Sequence, residues 1–108
     1  MCATAYLFDT IFLSHKPGLG HPERPERLSA IHGKITGSPF YKKLLQVAPA
    51  KPDMKYIEMN HSAVYIEDVK KKIESGGRFL DMDTGVSEDS FEAALLAVGG
   101  SLVCLVAA

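Results

Sequence analysis

An α/β fold is predicted by three features of the sequence. Two short β-prone runs flank an amphipathic helix, further helices carry apolar residues on one face, and Gly and Pro separate these segments. The chain has 108 residues, 46% of them hydrophobic and 23% charged, with a mean hydropathy of +0.03. That balance excludes disorder, collagen and low complexity, and the length allows one core, so residues 1–108 are read as part of a single domain. Lys and Arg total 12 against 13 Asp and Glu, which leaves no broad cationic field for a polyanion, and no nucleic-acid partner is expected.

Thr4 to Phe8 is a short β-prone run ending at Asp9 and Thr10, a second apolar triplet, Ile11 to Leu13, follows, and the stretch reads as a buried strand leaving the core. Lys16 to Pro25 holds Pro17, Gly18, Gly20, Pro22 and Pro25, a density that demands a stiff loop. Pro25 suits the first position of a helix, Leu28, Ile31 and Ile35 share one face, and Gly37 ends it. Ser38 and Pro39 open a short helix expected to bury Phe40 and Leu44. Leu45 to Ala48 then forms the second strand, giving a parallel crossover.

Asp53 is placed to cap a one- or two-turn helix carrying Tyr56 and Ile57. Ser62 caps a longer one with Ile66, Val69 and Ile73 inward, Asp68 and Lys72 paired at i, i+4, and a stop at Gly76 and Gly77. Lys70 to Lys72 read as a solvated face rather than a phosphate site.

The last helix is expected to open at Ser87, with Glu88 and Asp89 in its first turn. From Ala93 to Ala108 no residue is charged, so this helix should be buried on nearly every side. At 1.5 Å per residue that stretch spans about 24 Å, short of the roughly 20 residues a bilayer needs, and Gly99, Gly100 and Ser101 interrupt it. A core helix is therefore expected in preference to a membrane anchor. No C-terminal stop follows Ala107 and Ala108, and two strands with a few helices cannot cover such a segment. The chain reads as an N-terminal fragment of a larger domain, with self-association through the bare helix expected. Cys2 and Cys104 form no disulfide framework, and no signal peptide opens the sequence, which together favour a cytoplasmic setting.

The chemistry-bearing residues are sparse. His15 and His21 lie in the Pro/Gly loop near Glu23 but lack any recognised metal-ligand spacing. His32 and His61 read as structural, and Ser14 and Cys104 have neither a nucleophile elbow nor an activating environment.

Three blocks nevertheless carry a resemblance. Gly20-His21-Pro22-Glu23-Arg24-Pro25-Glu26-Arg27-Leu28 is the first. Asn60-His61 with Tyr65-Ile66 is the second, and Asp81-x-Asp83-Thr84-x-Val86-Ser87 with Ser90 and the Gly99-Gly100 pair is the third. In this order they resemble the N-terminal part of the histone deacetylase superfamily, especially its bacterial, archaeal, acetylpolyamine and acetoin-utilisation branches.

The resemblance implies an arginase/deacetylase-like parallel-sheet α/β domain and a zinc-dependent amidohydrolase acting on acetyl-lysine or acetylpolyamine substrates. It also implies that the zinc ligands and tandem histidines belong to later segments, so that this chain alone is expected to bind no zinc and to be inactive. Within these residues the resemblance implies a first rim loop at His21, Pro22 and Glu23. Glu23 either attracts a cationic substrate or pairs with Arg24 or Arg27. Arg27 matches an arginine near a cavity behind the metal or serves as a helix ion-pair partner. Asp83 falls in a second rim loop, as a substrate-facing acid or a turn carboxylate. The rival reading is a noncatalytic, truncated relative that binds an acylated lysine or a partner protein.

Overall fold

The computed structural model describes residues 3–107, so Met1, Cys2 and Ala108 lie outside the described residues. Strand β1 (Ala5–Leu7) pairs in parallel with β2 (Leu45–Val47), in the register Ala5 to Leu45, Tyr6 to Gln46 and Leu7 to Val47. Parallel pairing needs a crossover, and helix α1 (Pro25–Thr36) supplies it. Pro25 occupies the start of α1 and Gly37 its C-terminal cap, as the sequence predicts.

Ile11 to Leu13 do not continue the strand. The Asp9 carboxylate accepts the Ile11 N–H at 2.9 Å, and this cap turns residues Thr10–Ser14 into a 3₁₀ helix. Pro39–Lys43 is also a 3₁₀ turn, and it is too short to bury Phe40, which is 51% exposed.

Helix α2 (Met54–Glu58) is capped by Asp53, and α3 (Ala63–Glu74) by Ser62, whose hydroxyl accepts the Tyr65 N–H at 3.1 Å. Ile66 and Ile73 are buried, and Asp68 pairs with Lys72 at 3.2 Å. A feature with no forecast in the sequence follows: β3 (Phe79–Asp81) and β4 (Thr84–Gly85) form a small antiparallel hairpin.

Helix α4 (Ser90–Ala107) begins three residues after Ser87, which forms the turn that leads into it: the Ser90 N–H donates to the Ser87 carbonyl, and the Ser87 N–H donates to the Ser90 hydroxyl. The helix packs on the first 3₁₀ turn, β1, β2 and α3. Gly99 and Gly100 are buried at this crossing, and their role is close approach. A Cβ on Gly99 would collide with the Ala50 carbonyl, and one on Gly100 would lie 2.8 Å from a Leu7 methyl.

The expectation that α4 is enclosed fails within this chain. Only Ser90, Ala93, Gly99 and Gly100 of it are buried, and Leu105 and Val106 are 77% and 87% exposed. By length and composition α4 would also suffice to cross a membrane. The fold is a slab 17 Å thick with a radius of gyration of 15.5 Å, against about 13 Å for a compact chain of this length. Its surface of 7754 Å² likewise exceeds the roughly 5,900 Å² expected of a compact monomer of this mass. The buried apolar side chains are few, Ile66 and Ile73 of α3, Val86 after β4 and Ala93 of α4.

Candidate substrate-channel rim

The loop after β1 and the β3–β4 hairpin meet at one end of the slab. Gly85 lies so close to Pro17 that a Cβ there would overlap the Pro17 carbonyl, and Pro17 is itself buried. This backbone contact accounts for glycine at position 85 and brings two distant segments together.

Polar bonds complete the junction. The Glu23 N–H donates to His21 Nδ1 at 3.0 Å, and His21 Nε2 lies 2.9 Å from the Asp83 carbonyl oxygen. The Asp83 N–H donates to the Asp81 carboxylate at 2.9 Å. Bonds from the Thr84 side chain and then the Asp83 N–H hold the Asp81 carboxyl below its ordinary value, outweighing slight desolvation. Between the two segments lies an open cleft of about 590 Å³, lined by Pro17, Leu19, His21, Pro22, Met82 and Asp83 among others. Leu19 and Met82 stand almost fully exposed on its two sides.

Behind this cleft a second set of bonds ties the first loop to the start of α4. His15 Nδ1 and the Ser90 hydroxyl share a hydrogen bond of 2.7 Å, and the Ser90 oxygen accepts the Ser87 N–H at 2.7 Å. The Ser87 hydroxyl donates to the Ser14 carbonyl at 3.0 Å and accepts the Lys16 N–H at 2.9 Å. Ser90 is buried, with its oxygen already engaged by an amide, so the His15–Ser90 pair is a tie between segments rather than an activated nucleophile. Sequence reasoning missed this pair because its members are 75 positions apart, and no local spacing reveals them.

The residues singled out from the sequence are thus distributed as follows. His21, Pro22 and Asp83 line the shared cleft. Glu23 and Arg27 line a neighbouring hollow of about 230 Å³ with Phe12, His15, Arg24 and Leu28, and neither Glu23 nor Arg27 forms an ion pair among the described residues. His32 is structural: its ring stacks on Phe8 at 3.8 Å, and its Nδ1 bonds the Tyr6 hydroxyl at 2.6 Å. Burial, and then the neighbouring Tyr41, raise the Tyr6 hydroxyl above its ordinary value. His61 stacks on Tyr65 at 5.5 Å.

A metal ion does not fit the described residues. No three His, Cys, Asp or Glu side chains among them converge as a ligand set, since His15 turns to Ser90 and both nitrogens of His21 are engaged by backbone.

A parallel β–α–β start whose following loops converge on an open cleft defines part of an α/β domain with a loop-built site. Residues 21–108 match the histone deacetylase domain, and the chain belongs to that family. It is 37% identical over 97 residues to the uncharacterized protein slr0245 of Synechocystis, and 27% identical over 101 residues to a probable deacetylase of Archaeoglobus fulgidus. These alignments cover 87% and 92% of this chain but 32% and 28% of the relatives, so the chain spans about a third of their length or less. The crystal structure of the HDA15 HD domain superposes with a TM-score of 0.79 at 29% identity, covering 90% of this chain and 29% of that one.

Proposed function

We propose that this chain is the N-terminal part of a zinc-dependent deacetylase that hydrolyses acetyl-amide bonds of acetyl-lysine or acetylpolyamine type. In this reading it supplies two rim loops of the substrate channel. The observation that carries the reading is the junction of the Gly20–Arg27 and Asp81–Ser87 blocks, which lie far apart in sequence and face one cleft. His21 and Pro22 form one wall and Asp83 the other. The Asp83 carboxylate is the acceptor for a substrate's backbone N–H or for a cationic amine, and the exposed apolar side chains of Leu19 and Met82 flank an extended substrate. Glu23 adds negative charge beside the mouth. Arg27, in the hollow behind, has the planar fork that suits a carboxylate product.

Zinc, in this proposal, is held by residues other than those described here, and no catalytic residue is assigned to this chain. The uncovered side of α4 faces protein rather than lipid, either more of the same domain or another copy of the chain, and the setting is cytoplasmic.

The test is metal analysis with hydrolysis assays on an acetyl-lysine peptide and an acetylpolyamine, run on this chain and on the longest product of its gene. Zinc-dependent hydrolysis by the longer product, with KM raised on replacing Asp83 by Ala, is the expected result. Stoichiometric zinc on this chain alone overturns the division of labour. Peptide binding without hydrolysis by the longest product replaces the enzyme with a noncatalytic acyl-lysine binder.

A further inference from the structure

His21 spends both ring nitrogens on backbone. Its Nδ1 accepts the Glu23 N–H, so in the neutral ring the proton resides on Nε2 and is donated to the Asp83 carbonyl. One tautomer therefore satisfies both bonds and joins positions 62 residues apart. The turn between β3 and β4 has its own internal bond, from the Asp83 N–H to Asp81, but that bond shapes the turn without fixing where the turn lies. The Gly85–Pro17 contact brings the backbones together without a directional bond. Among the described residues, the His21–Asp83 bond is the one hydrogen bond between residues 16–24 and the 82–84 turn.

We infer that His21 is a positioning residue for the second rim loop: its Nε2–H holds the Asp83 carbonyl, and so sets where the Asp83 carboxylate meets substrate. The inference rests on the proposed reading of the cleft as a substrate channel. Its consequence is specific. A residue that places a binding group, without touching the reacting atoms, acts on KM and leaves kcat nearly unchanged. It also acts through Asp83, so its effect vanishes once the Asp83 side chain is gone.

Three measurements test this. In the unsubstituted chain, nitrogen-15 spectroscopy of the histidine rings is expected to show His21 as the Nε2–H tautomer, and the Nδ1–H tautomer overturns the proposal without any variant having to fold. Amide exchange over residues 81–85 is expected to accelerate about tenfold in His21→Ala, to recover in His21→Gln, which retains a donor near the same place, and to stay unchanged across α1. Unaltered exchange in His21→Ala overturns the proposal.

In the longest gene product, KM for the acetylated substrate is expected to rise about tenfold in His21→Ala at constant kcat, with no further rise when the change is added to Asp83→Ala. A loosened turn with unchanged KM, or equal losses that add to those of Asp83→Ala, overturns the positioning role. If that product hydrolyses no acetylated amine, the functional reading fails, while the tautomer and exchange measurements still decide whether His21 holds the turn.

Discussion

Between residues 14–24 and 78–90 the chain buries few apolar side chains, yet hydrogen bonds join the two segments. Along the second half of α4 the side chains are almost all apolar, and none from Leu102 to Ala107 is buried. The rim residues exchange directional bonds among His15, Ser90, Ser87, Ser14, Lys16, His21 and Asp83, and no buried side-chain polar atom among the described residues lacks a partner. Helix α4 has mean hydropathy 1.9, and only 22% of its residues are buried. Hydrogen bonds are saturable and local, so a loop junction closes on itself once each donor meets its acceptor. Apolar burial scales with area and needs a covering partner, which the described residues do not supply to Leu105 and Val106. The site-bearing end of the molecule is therefore finished locally, while the scaffold behind it depends on further contacts.

The largest effect expected from this contrast concerns association. Leu105→Lys with Val106→Glu places charge on the bare face and is expected to convert a self-associating chain into a monomer by sedimentation velocity. Its melting should change little, because surface substitutions away from special features lie within about 0.5 kcal/mol. An unsubstituted chain that stays monomeric at every concentration removes the self-association reading.

A smaller effect sharpens the other side of the comparison. Ser90→Ala leaves His15 Nδ1 and the Ser87 N–H without their partner and is expected to cost about 1–3 kcal/mol in chemical denaturation. Lys51→Ala breaks only an exposed ion pair, with side chains 69% and 39% exposed, and is expected to cost about 0–1 kcal/mol. Equal losses for the two would mean that the Ser90 cluster is no more than a surface contact.

Much of this was legible where the signal is local. Pro25 and Gly37 bound α1, Asp53 and Ser62 cap their helices by hydrogen bonds within three residues, and the parallel strands lie where β-prone runs flank a helix. The family was legible too, through His21, Pro22 and Asp83 in ordered blocks. Three readings came out differently, one through a local cap and two through distant partners. Asp9 diverts Ile11 to Leu13 into a 3₁₀ helix by competing for backbone, and the Ser87 hydroxyl reaches Ser14 and Lys16 while its backbone forms the turn that leads into α4. Gly99 and Gly100 look like helix breakers in one dimension and are contact points in three. The β3–β4 hairpin was hidden because its strands are two and three residues long and carry no alternating pattern.

The smallest predicted effect separates how the rim turn is shaped from how it is anchored. Bonds from Thr84 and Asp83 lower the Asp81 carboxyl below its ordinary value of 3.8. A carboxylate with a depressed folded value contributes stability that is fully present above its unfolded value and is lost as pH falls through the folded one. The turn should therefore hold its Asp81 bonds to a lower pH than an unperturbed carboxylate would, with little change in global stability because this carboxyl is exposed. Carbon-13 titration of the Asp81 carboxyl is expected to show a midpoint below 3.8, and one at or above that value means the turn is not closed as described. Repeating the titration in His21→Ala completes the comparison. The Asp81 bonds lie within the turn and the His21 bond lies outside it, so the midpoint should stay low while exchange over residues 81–85 quickens. A midpoint that returns to 3.8 would make His21 part of the turn's internal shape rather than its anchor.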